Sequence, residues 1–190
     1  MRRIERASIA CLVLTCASMT VAFSPRDPDA IAVLAVADLR KDKSVNFQRL
    51  DEIGHRAVKR NLKKSSYTLQ FETDLGGVAE VTEDDLEYFD AEWVRQLGPR
   101  DRRYVLLLVL DDAARKRTLG SAFGTVCSGY LFDKEKGGPV WEHHATGTGG
   151  QGGLIGFAMA SMTRGDSFSS CARNLMTTFP YEKKRKGART

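Results

Sequence analysis

Hydrophobic residues along this chain fall in blocks whose period changes from segment to segment. Ala30-Ile-Ala-Val-Leu-Ala-Val-Ala37 is apolar throughout and stops at Asp38. Such a run, rich in β-branched residues and bounded by turn formers, predicts a strand covered on both faces. From Asn46 the apolar residues fall at Phe47, Leu50, Ile53, Ala57, Val58 and Leu62, with Lys, Arg and Asp between them. That spacing predicts a helix over 46–63. Tyr67–Thr73 alternates and predicts a second strand. Thr82-Glu-Asp-Asp85 has the form of a capping box. Leu86, Phe89, Trp93, Val94 and Leu97 then mark one helix over 83–97, stopped by Gly98-Pro99. Asp84, Asp85, Glu87, Asp90 and Glu92 read as its cap and solvated face.

Tyr104-Val-Leu-Leu-Leu-Val-Leu110 predicts a central buried strand ended by Asp111-Asp112. Residues 122–132 and 139–146 predict a hairpin around the polar turn Asp133-Lys-Glu-Lys-Gly-Gly138. A glycine-rich loop, an apolar segment from Leu154 to Met162 and a helix over 167–179 follow. The order β-α-β-α-β-β-β-α predicts a single α/β domain. Its mixed sheet has about five strands with helices packed on it, and the strands around Ile31 and Tyr104 are central.

Composition places the chain among globular proteins: 190 residues, 42% hydrophobic and 28% charged. The net charge of +5 is unevenly placed. Residues 1–22 carry +2 and residues 182–190 carry +4, which leaves −1 for the body between them. A near-neutral body argues against nucleic acid as a partner.

The basic start Met1-Arg-Arg-Ile-Glu-Arg6 precedes an apolar stretch from Ile9 to Phe23, with Thr20-Val-Ala22 supplying small residues. This order predicts a signal peptide over 1–22, cleaved after Ala22. Residues 23–29 then form a linker with Pro25 and Pro28, 30–180 the domain, and 181–190 a basic tail. A competing reading places acylation at Cys16, where Val13-Leu14-Thr15-Cys16 is a poor lipobox because Thr15 stands where Gly or Ala is usual. The protein is then periplasmic, or anchored at the outer membrane if Cys16 carries lipid. Cys127 and Cys171 remain in the body. They form a candidate disulfide in an oxidising compartment, or two separate buried thiols.

The motifs that suggest chemistry weaken on inspection. Gly147-Thr-Gly149-Gly-Gln-Gly152 matches the dinucleotide fingerprint, but too little chain follows to complete a nucleotide fold. Asp166, at a plausible distance, sits in Arg-Gly-Asp-Ser, which reads as a turn. No cofactor is expected. His143 and His144 are adjacent on a strand, so they point to opposite faces and cannot share a metal ion. His55 falls in the first helix, and no metal is expected. No Gly-x-Ser-x-Gly elbow is present. Gly152, Gly156 and Ala160 form a small-residue stripe if their segment is helical.

Several of these pieces together resemble a family. They are the exported leader, Ile31-Ala-Val-Leu-Ala-Val-Ala-Asp38 before a helix, the strand Tyr104–Leu110, and the hairpin closing on Gly138-Pro-Val-Trp-Glu142. The last is a helix ending Asn174-Leu-Met-Thr-Thr-Phe-Pro180. The chain resembles small bacterial envelope proteins such as the curli-secretion lipoprotein, the penicillin-binding-protein activator lipoprotein and the N-terminal domain of the Tol-system periplasmic protein. The resemblance implies an accessory or assembly role without catalysis, with an envelope protein or a second copy as partner. It carries over no functional residues. Two other readings stand beside it: a secreted enzyme using Cys127 or His143, and a module that contacts the membrane surface through Lys183-Lys-Arg-Lys186.

Overall fold

The computed structural model describes residues 30–43, 46–47, 49–118, 120–149 and 164–180. The expected leader with Cys16 and Ala22, the linker, the segment 154–162 and the basic tail lie outside the described residues. One mixed sheet organises the rest. Its strands are β1 (Ala30–Val33), β2 (Ala37–Asp38), β3 (Thr68–Phe71), β4 (Tyr104–Thr118), β5 (Gly120–Asp133) and β6 (Gly138–Gly149). They lie in the order β3-β1-β4-β5-β6, with β2 also paired to β4. β1 runs parallel to both β3 and β4, whereas β4, β5 and β6 form an antiparallel meander. The helices are α1 (Leu50–Asn61), α2 (Glu83–Glu87), α3 (Ala91–Gln96) and α4 (Arg164–Met176). The α/β class and the central place of the Ile31 and Tyr104 strands are as expected.

The apolar runs lack alternation because both faces of the sheet are covered. Ile31, Val33, Tyr104, Leu106, Leu108 and Leu110 pack with Val58, Phe168 and Leu175 of α1 and α4. Ala32, Leu34, Val105, Leu107 and Val109 pack on the other face with Val94, Tyr130 and Phe132. Each such fully buried side chain contributes roughly 1.5–3 kcal/mol relative to exposure.

Three expected elements come out differently. The run Ala30–Ala37 is two short strands. After Val33 pairs with Leu106, pairing resumes at Ala37 with Val109, one residue out of step. β4 does not end at Asp111-Asp112 but continues to Thr118. A bulge absorbs the acids: the register steps from Leu110–Cys127 to Asp112–Val126, leaving Asp111 as the extra residue. The helix expected over 83–97 is two helices. Thr82 and Asp85 form the capping box of α2, and the Asp90 carboxylate accepts from the Glu92 N–H at 3.0 Å to start α3. Asp90 is thus a cap inside the expected span, and a cap residue adopts extended backbone that interrupts a helix.

The β5–β6 turn is held from outside. Asp133 is 1% exposed. Arg103 Nε and Nη2 donate to its two carboxylate oxygens at 2.9 and 2.8 Å. Gly137 closes the turn with φ 68°, a conformation that favours glycine.

α4 lies directly on the meander. A Cβ at Gly147 would stand 2.2 Å from the Ser167 carbonyl oxygen and 2.3 Å from the Cys171 nitrogen. At Gly129 it would stand 2.7 Å from Leu175 Cδ2. These two glycines form the flat shelf on which the helix rests. Thr125 Oγ1 donates to Ser167 Oγ at 2.7 Å, and Asn174 Nδ2 donates to the Thr146 carbonyl at 2.9 Å. A disulfide joins Cys127 of β5 to Cys171 of α4, with Cα atoms 6.2 Å apart.

Candidate functional site

The bulge in β4 and the register of β5 against β6 create a polar row on the sheet face opposite α4. The bulge turns Asp111 toward Ser128, and Ser128 pairs across the ladder with His144. Glu142 stands two residues before His144, so it shares that face. Ser128 Oγ donates to Asp111 Oδ2 at 2.5 Å and lies 2.6 Å from His144 Nδ1. His144 Nε2 lies 3.1 Å from Glu142 Oε1. The row crosses three strands. Asp111, Ser128 and His144, with Tyr130, floor a shallow cavity of about 240 Å³ rimmed by Leu39, Glu83, Leu86 and Glu87. Tyr130 meets the His144 ring edge-on at 6.4 Å.

Proton counting defines what the row can do. Ser128 has one proton to give. If it donates to Asp111, then His144 Nδ1–H donates to Ser128, and the Glu142 contact needs a further proton on either Nε2 or the carboxylate. If Asp111 is protonated, it donates to Ser128, Ser128 donates to Nδ1, and Nε2–H donates to Glu142. The two arrangements hold the same protons and differ by a shift along the row. Burial pushes the Asp111 carboxyl above its ordinary value, against the opposing Ser128 hydrogen bond and His144, with Glu83 and Asp112 adding to the rise. Burial likewise pushes Tyr130 up to about 12, helped by Glu142. The row ties β4, β5 and β6 together through hydrogen bonds. It does not present a free nucleophile: Ser128 is 1% exposed and its hydroxyl is engaged on both sides.

A second acid sits nearby at the end of β2. Burial acts to raise Asp38, but hydrogen bonds from Arg40 and Lys43 outweigh it and hold the carboxyl at about 2. Arg40 grips both carboxylate oxygens at 2.8 Å.

The residues singled out by sequence do not converge. Cys127 is buried and its sulfur is bonded to Cys171, so it carries no thiolate in this state. His143 faces away from His144, with its ring 6.5 Å from that of Trp141, and makes no hydrogen bond among the described residues. His55 Nε2 lies 3.0 Å from the Leu34 carbonyl and its ring tilts against Phe71. Gly147 and Gly149 belong to strand β6 and not to a loop. Gly147 serves the approach of α4, while Gly152, Gly156 and Ala160 lie outside the described residues. Asp166 stands in α4 and not in a turn. Among the described residues no group of metal-ligating side chains is assembled. The row itself has no sequence signature, since its members meet only through a bulge and a strand register. The pair Asp111-Asp112 at the end of so apolar a strand was the one available hint.

No family model matches this chain, and no curated protein matches it. Solved structures do. The PelC dodecamer from Paraburkholderia phytofirmans is 15% identical, covers 78% of this chain and 86% of that chain, and has a TM-score of 0.46. The hypothetical protein CT253 from Chlamydia trachomatis is 12% identical over 78% of this chain and 94% of its own, with a TM-score of 0.49. Lipoprotein GNA1162 from Neisseria meningitidis is 16% identical over 71% and 95%, with a TM-score of 0.41.

Proposed function

We propose that this chain is an exported, non-enzymatic protein of the bacterial cell envelope that works through protein–protein contacts. The observation that carries the reading is the buried Cys127–Cys171 disulfide, which fastens the outer helix to the sheet. Such a bond persists in an oxidising compartment and not in the cytosol. The basic, then apolar, then small-residue order of residues 1–22 supports the same route. Cleavage after Ala22 leaves a soluble periplasmic chain, and acylation at Cys16 would leave an anchored one.

The contact surface is the open face beside the polar row together with the outer edge of β6. Val126 is 38% exposed there. β6 ends the sheet, so its twelve-residue outer edge pairs with no strand among the described residues. A strand edge without a partner strand is a template for pairing with another chain or a second copy.

In-cell photocrosslinking from Val126 tests this, with a chain whose leader is disabled as the control. A discrete adduct, to itself or to an envelope protein, that depends on export is the expected result. A monomer free of adducts from Val126, Thr146 and Thr148 alike would overturn the reading.

A further inference from the structure

The other side of the molecule carries charge that its own fold does not use. Arg40, Lys41, Lys43, Arg49, Arg95, Arg102 and Arg103 all lie within ion pairs. Arg56, Lys59, Arg60, Lys63, Lys64 and Arg173 have no acidic partner among the described residues, and Arg100, Lys134 and Lys136 elsewhere in the fold likewise make no ion pair there. The first six all sit at the C-terminal half of α1, just beyond it, or on α4. The acids of α1, Asp51 and Glu52, are confined to its opposite end. The helix macrodipole favours cations at Lys59, Arg60 and Arg173, but it does not require them to converge.

They converge all the same. Arg56 and Arg60 stand one turn apart on α1 and face Arg173 of α4 across a notch of about 360 Å³, with Ala57, Asn61 and Ser169 completing its walls. The Asn61 amide donates to the Ala57 carbonyl of its own helix, which leaves its oxygen free of that bond. Arg60 also borders a second recess of about 480 Å³ that is apolar at its floor, with Leu62, Tyr67, Leu69 and Phe71, and basic at its lip, with Lys59 and Lys63. Three guanidinium groups around one notch fit a phosphate, which accepts planar paired donors. An apolar recess beside that notch fits the carbon that follows a lipid phosphate.

We infer that the α1–α4 face docks on an anionic phospholipid surface, with a headgroup phosphate among Arg56, Arg60 and Arg173. The glycerol-ester carbons lie over Leu62, Leu69 and Phe71. Charge complementarity selects this occupant over a neutral bilayer. The basic tail at 183–186 is a separate element and is not needed for the seat. The inference does not rest on the partner-binding reading, because the face used is the opposite one.

The test compares binding of the full chain, as processed by an exporting host, to vesicles of phosphatidylglycerol in phosphatidylcholine and to pure phosphatidylcholine vesicles at low salt. A leader or acyl chain binds both kinds, so the anionic preference isolates the docking term. The triple variant Arg56→Gln/Arg60→Gln/Arg173→Gln should lower that preference on the order of 100-fold, from three basic residues near the surface. The triple variant Arg56→Lys/Arg60→Lys/Arg173→Lys should fall between the parent and the Gln variant, because it keeps the charge and loses the paired donors, and both variants should melt like the parent. Neutralising Lys183, Lys184, Arg185 and Lys186 should leave the larger share. The inference is overturned if the Gln variant binds like the parent or if the tail variant alone abolishes the preference. It is equally overturned if glycerol phosphate binds as tightly as the vesicles, which would mark a site for a free phosphate.

Discussion

The two faces of the sheet are built from the same strands, yet they are closed in opposite ways. On one face α1 and α4 cover Leu106, Leu108, Leu110 and Leu131 with aliphatic and aromatic side chains. Two glycines let the α4 backbone reach the strands, and a disulfide fixes it there. On the other face α2 and α3 cover only the part with Leu107, Val109, Tyr130 and Phe132. Beyond them the strands run on with Asp111, Ser128 and His144 at the surface of a shallow cavity. Both faces thus hold a dry core, but only the closed face is covered by long helices and tied by a disulfide. Past its core the open face carries polar groups that satisfy one another. A sheet whose faces differ this way shares its stability between them and leaves one end of one face free to vary in chemistry.

The sharpest way to break this contrast is to cut the fastening of α4. Replacing Cys127 and Cys171 together with Ala should cost about 4 kcal/mol, the loop-closure figure for a separation of 44 residues. Chemical denaturation of the oxidised parent and the variant measures it. A loss below about 1 kcal/mol would mean that the closed face does not depend on its bond.

Next in size is the glycine shelf. Gly147→Ala forces a methyl group into backbone atoms of α4 and should cost about 3 kcal/mol, at the upper end of overpacking effects. Thr148→Ala, one residue on, should stay within about 0.5 kcal/mol, as surface changes do. Equal effects at the two positions would erase the distinction between the faces.

Much of the fold was legible because burial leaves a mark on composition. Ile31–Leu34 and Tyr104–Leu110 are apolar without alternation for the reason that both faces are covered, and their central places follow. The turn at 134–137 and the cap at Thr82 were equally readable from local chemistry. Asp111-Asp112 misled because consecutive acids ordinarily end a strand, whereas here a bulge carries the strand past them. Leu86, Phe89 and Trp93 keep helical spacing across a break, since both short helices pack on the same aromatic group around Phe132. The polar row was not legible. Its members come from three strands, and their meeting depends on one bulge and one register.

A smaller effect is expected at the Arg103–Asp133 pair that holds the hairpin turn. Burial acts to raise Asp133, but the Arg103 hydrogen bond and the Glu135 N–H outweigh it and hold the carboxyl below its ordinary range. A lowered carboxylate stabilises the fold above the ordinary Asp value, and that contribution is lost as pH falls through the lower folded value. Arg103→Ala should cost about 2 kcal/mol at neutral pH, less than a fully buried pair because Arg103 is 39% exposed. The cost should shrink in acid, where urea titrations of parent and variant converge. A pH-independent cost would assign the effect to packing alone.

The smallest effect, and the one that probes the open face, is Asp111→Asn. Burial raises this carboxyl, so the folded state favours its protonated form, and the contribution is lost as pH rises through the raised value. An amide that still accepts from Ser128 should leave stability at neutral pH within about 0.5 kcal/mol of the parent, or slightly higher. It should also flatten the stability profile in mild acid. A clear loss at neutral pH would show that the row needs its full charge.

The most direct measurement is the intact mass of the chain isolated from an exporting bacterium under non-reducing conditions, after treatment with a thiol alkylating agent. Expected is a chain beginning at Phe23, with Cys127 and Cys171 both refusing the label. A chain that keeps Met1 and takes up label at Cys127 and Cys171 would contradict export and the disulfide together.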